Sequence, residues 1–242
     1  MKKAVSVILC VCMLLASFAA FPVFAAEETV FHNAAEVLDF VMVDKEYTTP
    51  IRIVPAQLYL NGVLSRVWLI ALLGMKNVPD QVNSARGGGV DAYCDLVKQI
   101  LTTEIPEGSA LVFAGHSLGG MTAQMLRADT YVTSRYQVIN VLCGGSPLME
   151  PAGEPEGALY RLTDIFDVIP YIRSFTPRAF FRQIRTAQRE NGGYFLNPDG
   201  AHNLSYARSD VWGAYDALGV KNGGAWLSII PSRVQSFGDA ES

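Results

Sequence analysis

The sequence is short of the side chains that most chemistry relies on. It has three histidines (His32, His116 and His202) and four cysteines in 242 residues. None of these fall at a Cys/His spacing that suits a metal, so neither a metal nor another cofactor is expected. Charge is scarce as well. Charged residues make up 17% of the chain, and acids outnumber bases 23 to 19, for a net charge of −4. A nucleic-acid binder needs a basic footprint, and this balance excludes one. So little charge excludes a coiled coil, and a chain that is 50% apolar is not intrinsically disordered. The length suits one domain.

One long uncharged stretch is present. Lys2 and Lys3 precede the run from Ala4 to Ala26, which holds Pro22 and ends Val23-Phe24-Ala25-Ala26 before Glu27 and Glu28. A basic start, an apolar middle and a small-residue end read as a cleaved signal peptide over residues 1–26, with an uncleaved membrane anchor as the rival. The expected mature protein is then a single domain over 27–242, secreted or periplasmic. It keeps 17 basic against 23 acidic residues, a net charge of −6. Cys10 and Cys12 leave with the signal. Cys94 falls on a helix and Cys143 at a strand end, and elements of a layered fold seldom bring their Cβ atoms within disulfide reach. Both are expected as buried thiols.

Along the rest of the chain, Asn33 is placed to cap a helix reaching about Val43. Residues 51–54 and 57–60 read as extended, and Asn61-Gly62 as a two-residue hairpin turn. The apolar run 66–73 suits a strand buried on both faces. Residues 75–89 form a polar, Gly-rich connection. Tyr93, Leu96, Val97, Ile100 and Leu101 repeat with helical spacing within 90–104. Further strands are expected at 110–114, 136–143 and 158–162, with a helix over 121–126 and a last helical segment over 207–218. His32 is placed before any strand of the sheet. Residues 225–230 should pack on the body, and 232–242 should fray. Strands alternating with helices imply a mostly parallel central sheet covered on both faces.

The chemical signal is Gly115-His116-Ser117-Leu118-Gly119. It lies between a buried strand and a helix, the position of a nucleophile elbow. Such a turn strains the serine backbone and lifts its Oγ to the helix N-terminus, where the Leu118 N–H can meet an oxyanion. A serine needs a base. His116 lies inside the elbow and is read as packing or bonding locally; His32 lies too early. His202, in a loop well downstream, is the remaining candidate. The acid should fall between Ser117 and His202, and both Asp164 and Asp167 follow a strand.

The pattern Gly115-His116-Ser117-Leu118-Gly119-Gly120, then Gly145-Ser146-Pro147, then Arg161 and Asp167-Val168-Ile169-Pro170 resembles the class three (fungal-type) lipases. The resemblance covers about residues 67–215. It implies an α/β-hydrolase fold, with Ser117 as nucleophile, Asp167 rather than Asp164 as acid, and His202 as base. The chain departs from that family where the family has arginine–glycine–threonine or serine. Here stands Leu73-Gly74-Met75-Lys76, so Met75 can give a backbone N–H to the oxyanion hole but no hydroxyl. The polar segment 75–89 also lacks the apolar face of a lipase lid.

Residues 171–200 interleave aromatics with arginines. They read either as a surface helix with a solvated arginine face or as a cap over the pocket that touches acyl chains and draws anionic lipid. The function expected is hydrolysis of carboxylic, chiefly lipid, esters with transient lipid-surface contact. Acyl transfer or amide hydrolysis on the same residues, and a non-catalytic binding protein on the same fold, are the rivals. The oligomeric state is not legible.

Overall fold

The computed structural model describes residues 27–44, 49–74, 89–172 and 176–238. The expected signal peptide and most of the 75–89 connection fall outside them. Within the described residues a mixed nine-stranded sheet runs through the molecule in the order β1-β8-β2-β3-β4-β5-β6-β7, with β9 paired to β2. The strands are β1 Thr29–Phe31, β2 Ile51–Leu60, β3 Val63–Leu72, β4 Ala110–His116, β5 Gln137–Gly144, β6 Ala158–Asp164, β7 Gln188–Glu190, β8 Trp226–Ile229 and β9 Gln235–Phe237. From β3 to β7 every pairing is parallel; the β1, β8, β2, β9 end is antiparallel.

Helices α1 (Ala34–Met42), α2 (Gly89–Glu104), α3 (Leu118–Leu126), α4 (Thr130–Thr133), α5 (Pro177–Arg185) and α6 (Pro198–Asn203) accompany the sheet. The period-two alternation of β3 sorts its side chains between two cores. Leu69 and Ala71 join Val37, Leu38 and Val41 of α1 with Tyr206 and Trp212 on one face. Ile70 and Leu72 join Val97, Ile100 and Leu101 of α2 and Leu126 of α3 on the other. Each such side chain taken fully out of water contributes about 1.5–3 kcal/mol. The helix cap at Asn33 forms as expected: its side chain accepts from the Glu36 N–H at 3.1 Å. Cys94 and Cys143 are free and buried.

Several expectations need correcting. The two extended pieces at 51–54 and 57–60 are one strand. Pro55 does not break it, because it stands in the gap where β9 stops pairing at Ile53 and β8 starts at Ala56. His32 does not precede the sheet, since β1 comes before it and pairs with β8. Residues 235–237 are not frayed; they extend the sheet beside Ile51–Ile53. The expected helix over 207–218 is a 3-10 turn (Ser205–Ala207) and a single helical turn (Ser209–Trp212). Asp216 ends it: its carboxylate accepts the N–H groups of Leu218, Val220 and Ala225, which folds the chain back on itself. No helix among the described residues is long and apolar enough to cross a membrane.

Candidate active site

The parallel strands β4, β5 and β6 end side by side, with Ser117 just past β4, Asp164 closing β6 and Asp167 just past it; His202 comes later, after β7. β4 passes directly into α3 at Ser117, whose backbone sits at φ 55°, ψ −121°. A non-glycine residue there is strained, and the strain persists only because the surroundings impose it. The Ser117 N–H donates to the Gly144 carbonyl at 3.0 Å, which ties the elbow to the end of β5. Gly119 allows the close crossing: a Cβ there would lie 2.0 Å from the Leu72 carbonyl oxygen, a distance no side chain tolerates. Leu118 begins α3, so its N–H has no partner within the helix and is available beside Oγ. Met75, the expected second oxyanion donor, lies outside the described residues.

His202 is held not in a loop but in α6, a short helix whose start is set by Asn197 accepting from the Gly200 N–H at 2.9 Å, with Pro198 in its first turn. Its Nδ1 lies 2.9 Å from Asp167 Oδ2 and its Nε2 lies 3.0 Å from Ser117 Oγ. A carboxylate only accepts, so Nδ1 carries the proton and the lone pair of Nε2 faces the serine hydroxyl. All three side chains are buried. Gly145, at φ 64°, leaves room for the pair: a Cβ there would come within 2.9 Å of Asp167 Oδ2 and 3.1 Å of His202 Nδ1.

The two aspartates divide the work. Asp167 accepts from His202, from the Tyr206 hydroxyl at 2.7 Å and from the Ile169 N–H at 2.9 Å. Asp164 does not reach the histidine. Its carboxylate accepts from Ser205 Oγ at 2.6 Å and from the N–H groups of Gly192 and Phe166. It therefore fastens the end of β6 to the chain on either side of α6, and so positions His202 from below.

Two neighbours escaped the sequence reading. Tyr206 bridges the aspartates, donating to Asp167 and accepting from the Asp164 N–H at 3.0 Å. Burial and the adjacent Asp167 carboxylate raise its pKa well above the usual phenol value, so it stays a proton donor. Its position four residues after His202 was the only sequence signal. His116 bonds across the molecule rather than locally: its Nε2 donates to the His202 carbonyl at 2.9 Å, with the two rings 4.6 Å apart. Burial first, then the nearby His202 ring, push its pKa down to about 3, so it is neutral.

The arginine-rich segment contains α5, capped by the Thr176 hydroxyl accepting from Ala179 N–H at 3.1 Å. Its inner side is polar. Buried Gln183 accepts from the Arg161 guanidinium at 2.6 Å and from the Leu148 N–H at 2.8 Å. Arg161, on β6, also donates to Thr186 and to the Ser146 carbonyl. Phe180 and Phe181 face solvent.

The arrangement can move a proton from Ser117 to His202 while Asp167 holds the ring and offsets the charge that develops on it. The chain matches no known protein family, no curated protein and no solved structure.

Proposed function

We propose that this chain is a serine hydrolase of the α/β-hydrolase fold that cleaves carboxylic esters, chiefly those of lipids. The observation that carries the reading is the unbroken path Ser117 Oγ, His202 Nε2, His202 Nδ1, Asp167 Oδ2, with the serine in a strained turn at the start of a helix. An ordinary buried serine needs neither the strain nor a histidine whose far nitrogen is held by a carboxylate.

In the proposed reaction, Ser117 Oγ attacks the ester carbonyl carbon as its proton passes to His202 Nε2. The carbonyl oxygen takes up the electron pair and is met by the Leu118 N–H. Collapse expels the alcohol, which takes the proton from His202, and leaves the acyl group on Ser117. Water then attacks this acyl-enzyme, again giving its proton to His202, and release of the acid restores Ser117. Asp167 accepts from the His202 Nδ1–H throughout. The Tyr206 and Ile169 donors steady it in the orientation that fixes the histidine tautomer.

A fluorophosphonate probe tests the reading. Wild-type protein should gain one probe mass at Ser117, located by peptide mass spectrometry. Ser117→Ala should gain none, and His202→Ala should label far more slowly. Folded wild-type protein that takes no label overturns the proposal.

A further inference from the structure

The side chains around the site are distributed the wrong way round for a protein surface in water. Gln183 of α5 is buried against Arg161, while Phe181 is 61% exposed. At about 100° per residue, Ala179 and Gln183 share the inner side of α5. Phe181 stands opposite them, with Ile184 and Phe180 on one flank and Arg178 and Arg185 on the other. The same inversion recurs on the chain that leads to His202. Leu196 is 85% exposed and sits at φ 60°, where a leucine is strained and glycine or asparagine is usual. Neither packing nor backbone geometry accounts for a leucine there. Phe195 beside it is also exposed and edges onto Phe166 at 5.5 Å.

These apolar groups are linked through the Asp167 loop. Phe166 touches Phe195, and Tyr171 touches Phe180 at 5.4 Å. Val168, next to Asp167, and Leu204, two residues after His202, are exposed as well. The basic groups lie in the same stretch. Residues 169–189 hold five arginines and no acid, in a chain whose net charge is −4. Arg178, Arg185 and Arg189 are exposed, and among the described residues only Arg182 of this group is ion-paired, to Glu150.

We infer that α5 and the Phe195–Leu196 tip dock this protein on an anionic phospholipid surface, the phenylalanines and leucine entering the acyl boundary and the arginines meeting the headgroup phosphates. Such a surface satisfies both sets of groups at once, whereas a soluble polyanion leaves Phe181 and Leu196 in water. Docking of this kind turns the Asp167 loop and α6, which carries His202, toward the lipid. The inference rests on the hydrolase reading only in naming that lipid as the source of the ester.

The test is co-sedimentation of the full chain, as Ser117→Ala so that no lipid is consumed. Vesicles are of phosphatidylcholine alone or of phosphatidylcholine mixed equally with phosphatidylglycerol. Any contribution from residues 1–26 is common to every variant. The parent should prefer the mixed vesicles. Arg178→Gln/Arg185→Gln/Arg189→Gln should lose on the order of a hundredfold in affinity for them and little for phosphatidylcholine, since each arginine near the surface adds about 1 kcal/mol. Phe181→Ser/Leu196→Asn should weaken binding to both. An arginine variant that keeps the preference overturns the inference, as does heparin competition that the apolar variant leaves unchanged against wild type. Fluorophosphonate labelling of the same substitutions on a Ser117 background, without lipid, should match wild type. Wild-type protein that takes no label while the parent still prefers the mixed vesicles sinks the hydrolase reading alone; a labelled wild type with no such preference sinks docking alone.

Discussion

Helices α1 and α5 are each nine residues long, and each starts with a polar side chain that caps an N–H three residues on. They use their apolar residues in opposite ways. On α1, Val37, Leu38 and Val41 are fully buried against the sheet. On α5 the buried residue is Gln183 and the phenylalanines face out. The difference comes from what each helix meets. The strands under α1 offer Val54, Leu69 and Val112. The strand beside α5, β6, offers Arg161, a buried cation that needs acceptors more than it needs hydrocarbon. Periodicity tells which residues share a side of a helix, and the partner decides which side turns in. The α1 side of the molecule buries hydrocarbon; on α5 the inward residue answers the buried Arg161 and the phenylalanines stand outside.

The largest effect expected from this division is at the acid. Asp167→Asn should lower kcat on a soluble ester by about 10⁴-fold, because an amide no longer fixes the His202 tautomer, and it also disturbs a buried acceptor of three donors. Asp164→Asn should spare kcat. It disturbs the acceptor of Ser205 and Gly192, so unfolding free energy should fall by about 1–3 kcal/mol with kcat within an order of magnitude of wild type. Equal losses of kcat in the two variants would remove the distinction between chemical and positioning aspartates.

The next effect separates the helices themselves. Leu38→Ala should cost about 2–5 kcal/mol in urea unfolding, since it empties a fully buried position. Phe181→Ala removes a larger side chain, yet should change stability by no more than about 0.5 kcal/mol. A Phe181→Ala cost comparable with that of Leu38→Ala would mean that α5 buries its aromatics after all, and the comparison would fail.

The contrast also explains what was legible in the sequence. Regular periodicities on the α1 and α2 sides gave helices and strands to within a few residues, and the glycine spacing about Ser117 located the turn. Position after a strand, between Ser117 and His202, narrowed the acid to Asp164 and Asp167; the resemblance implied Asp167, and the hydrogen bonds separate the two. Short segments escaped. β1, β7 and β9 have three residues each, too few to show a period, and exist because a neighbouring strand leaves backbone groups to pair. The 207–218 stretch looked helical because its local pattern carries no sign of the three N–H groups that Asp216 collects. Tyr206 and His116 escaped for the same reason. Their partners lie 39 and 86 residues away in sequence, and only the fold brings them together.

A buried histidine beside the site carries a cost in acid. His116 is buried neutral, with its pKa pushed down to about 3 by burial and by His202. Unfolded, it binds a proton near pH 6.5. Between these values the unfolded chain holds more protons, so stability is present above about pH 6.5 and is lost as pH falls toward 3. The contribution is at most about 1.4 kcal/mol per pH unit. His116→Gln can retain an N–H donor to the His202 carbonyl without a titrating group. Subtracting its urea-unfolding free energies from those of wild type across this range cancels the carboxylates common to both. A difference that grows steadily against wild type as pH falls is the expected result. A flat difference would mean that His116 titrates alike in both states, and that this buried histidine, packed against Tyr206 on the α1 side of the sheet, carries no acid penalty.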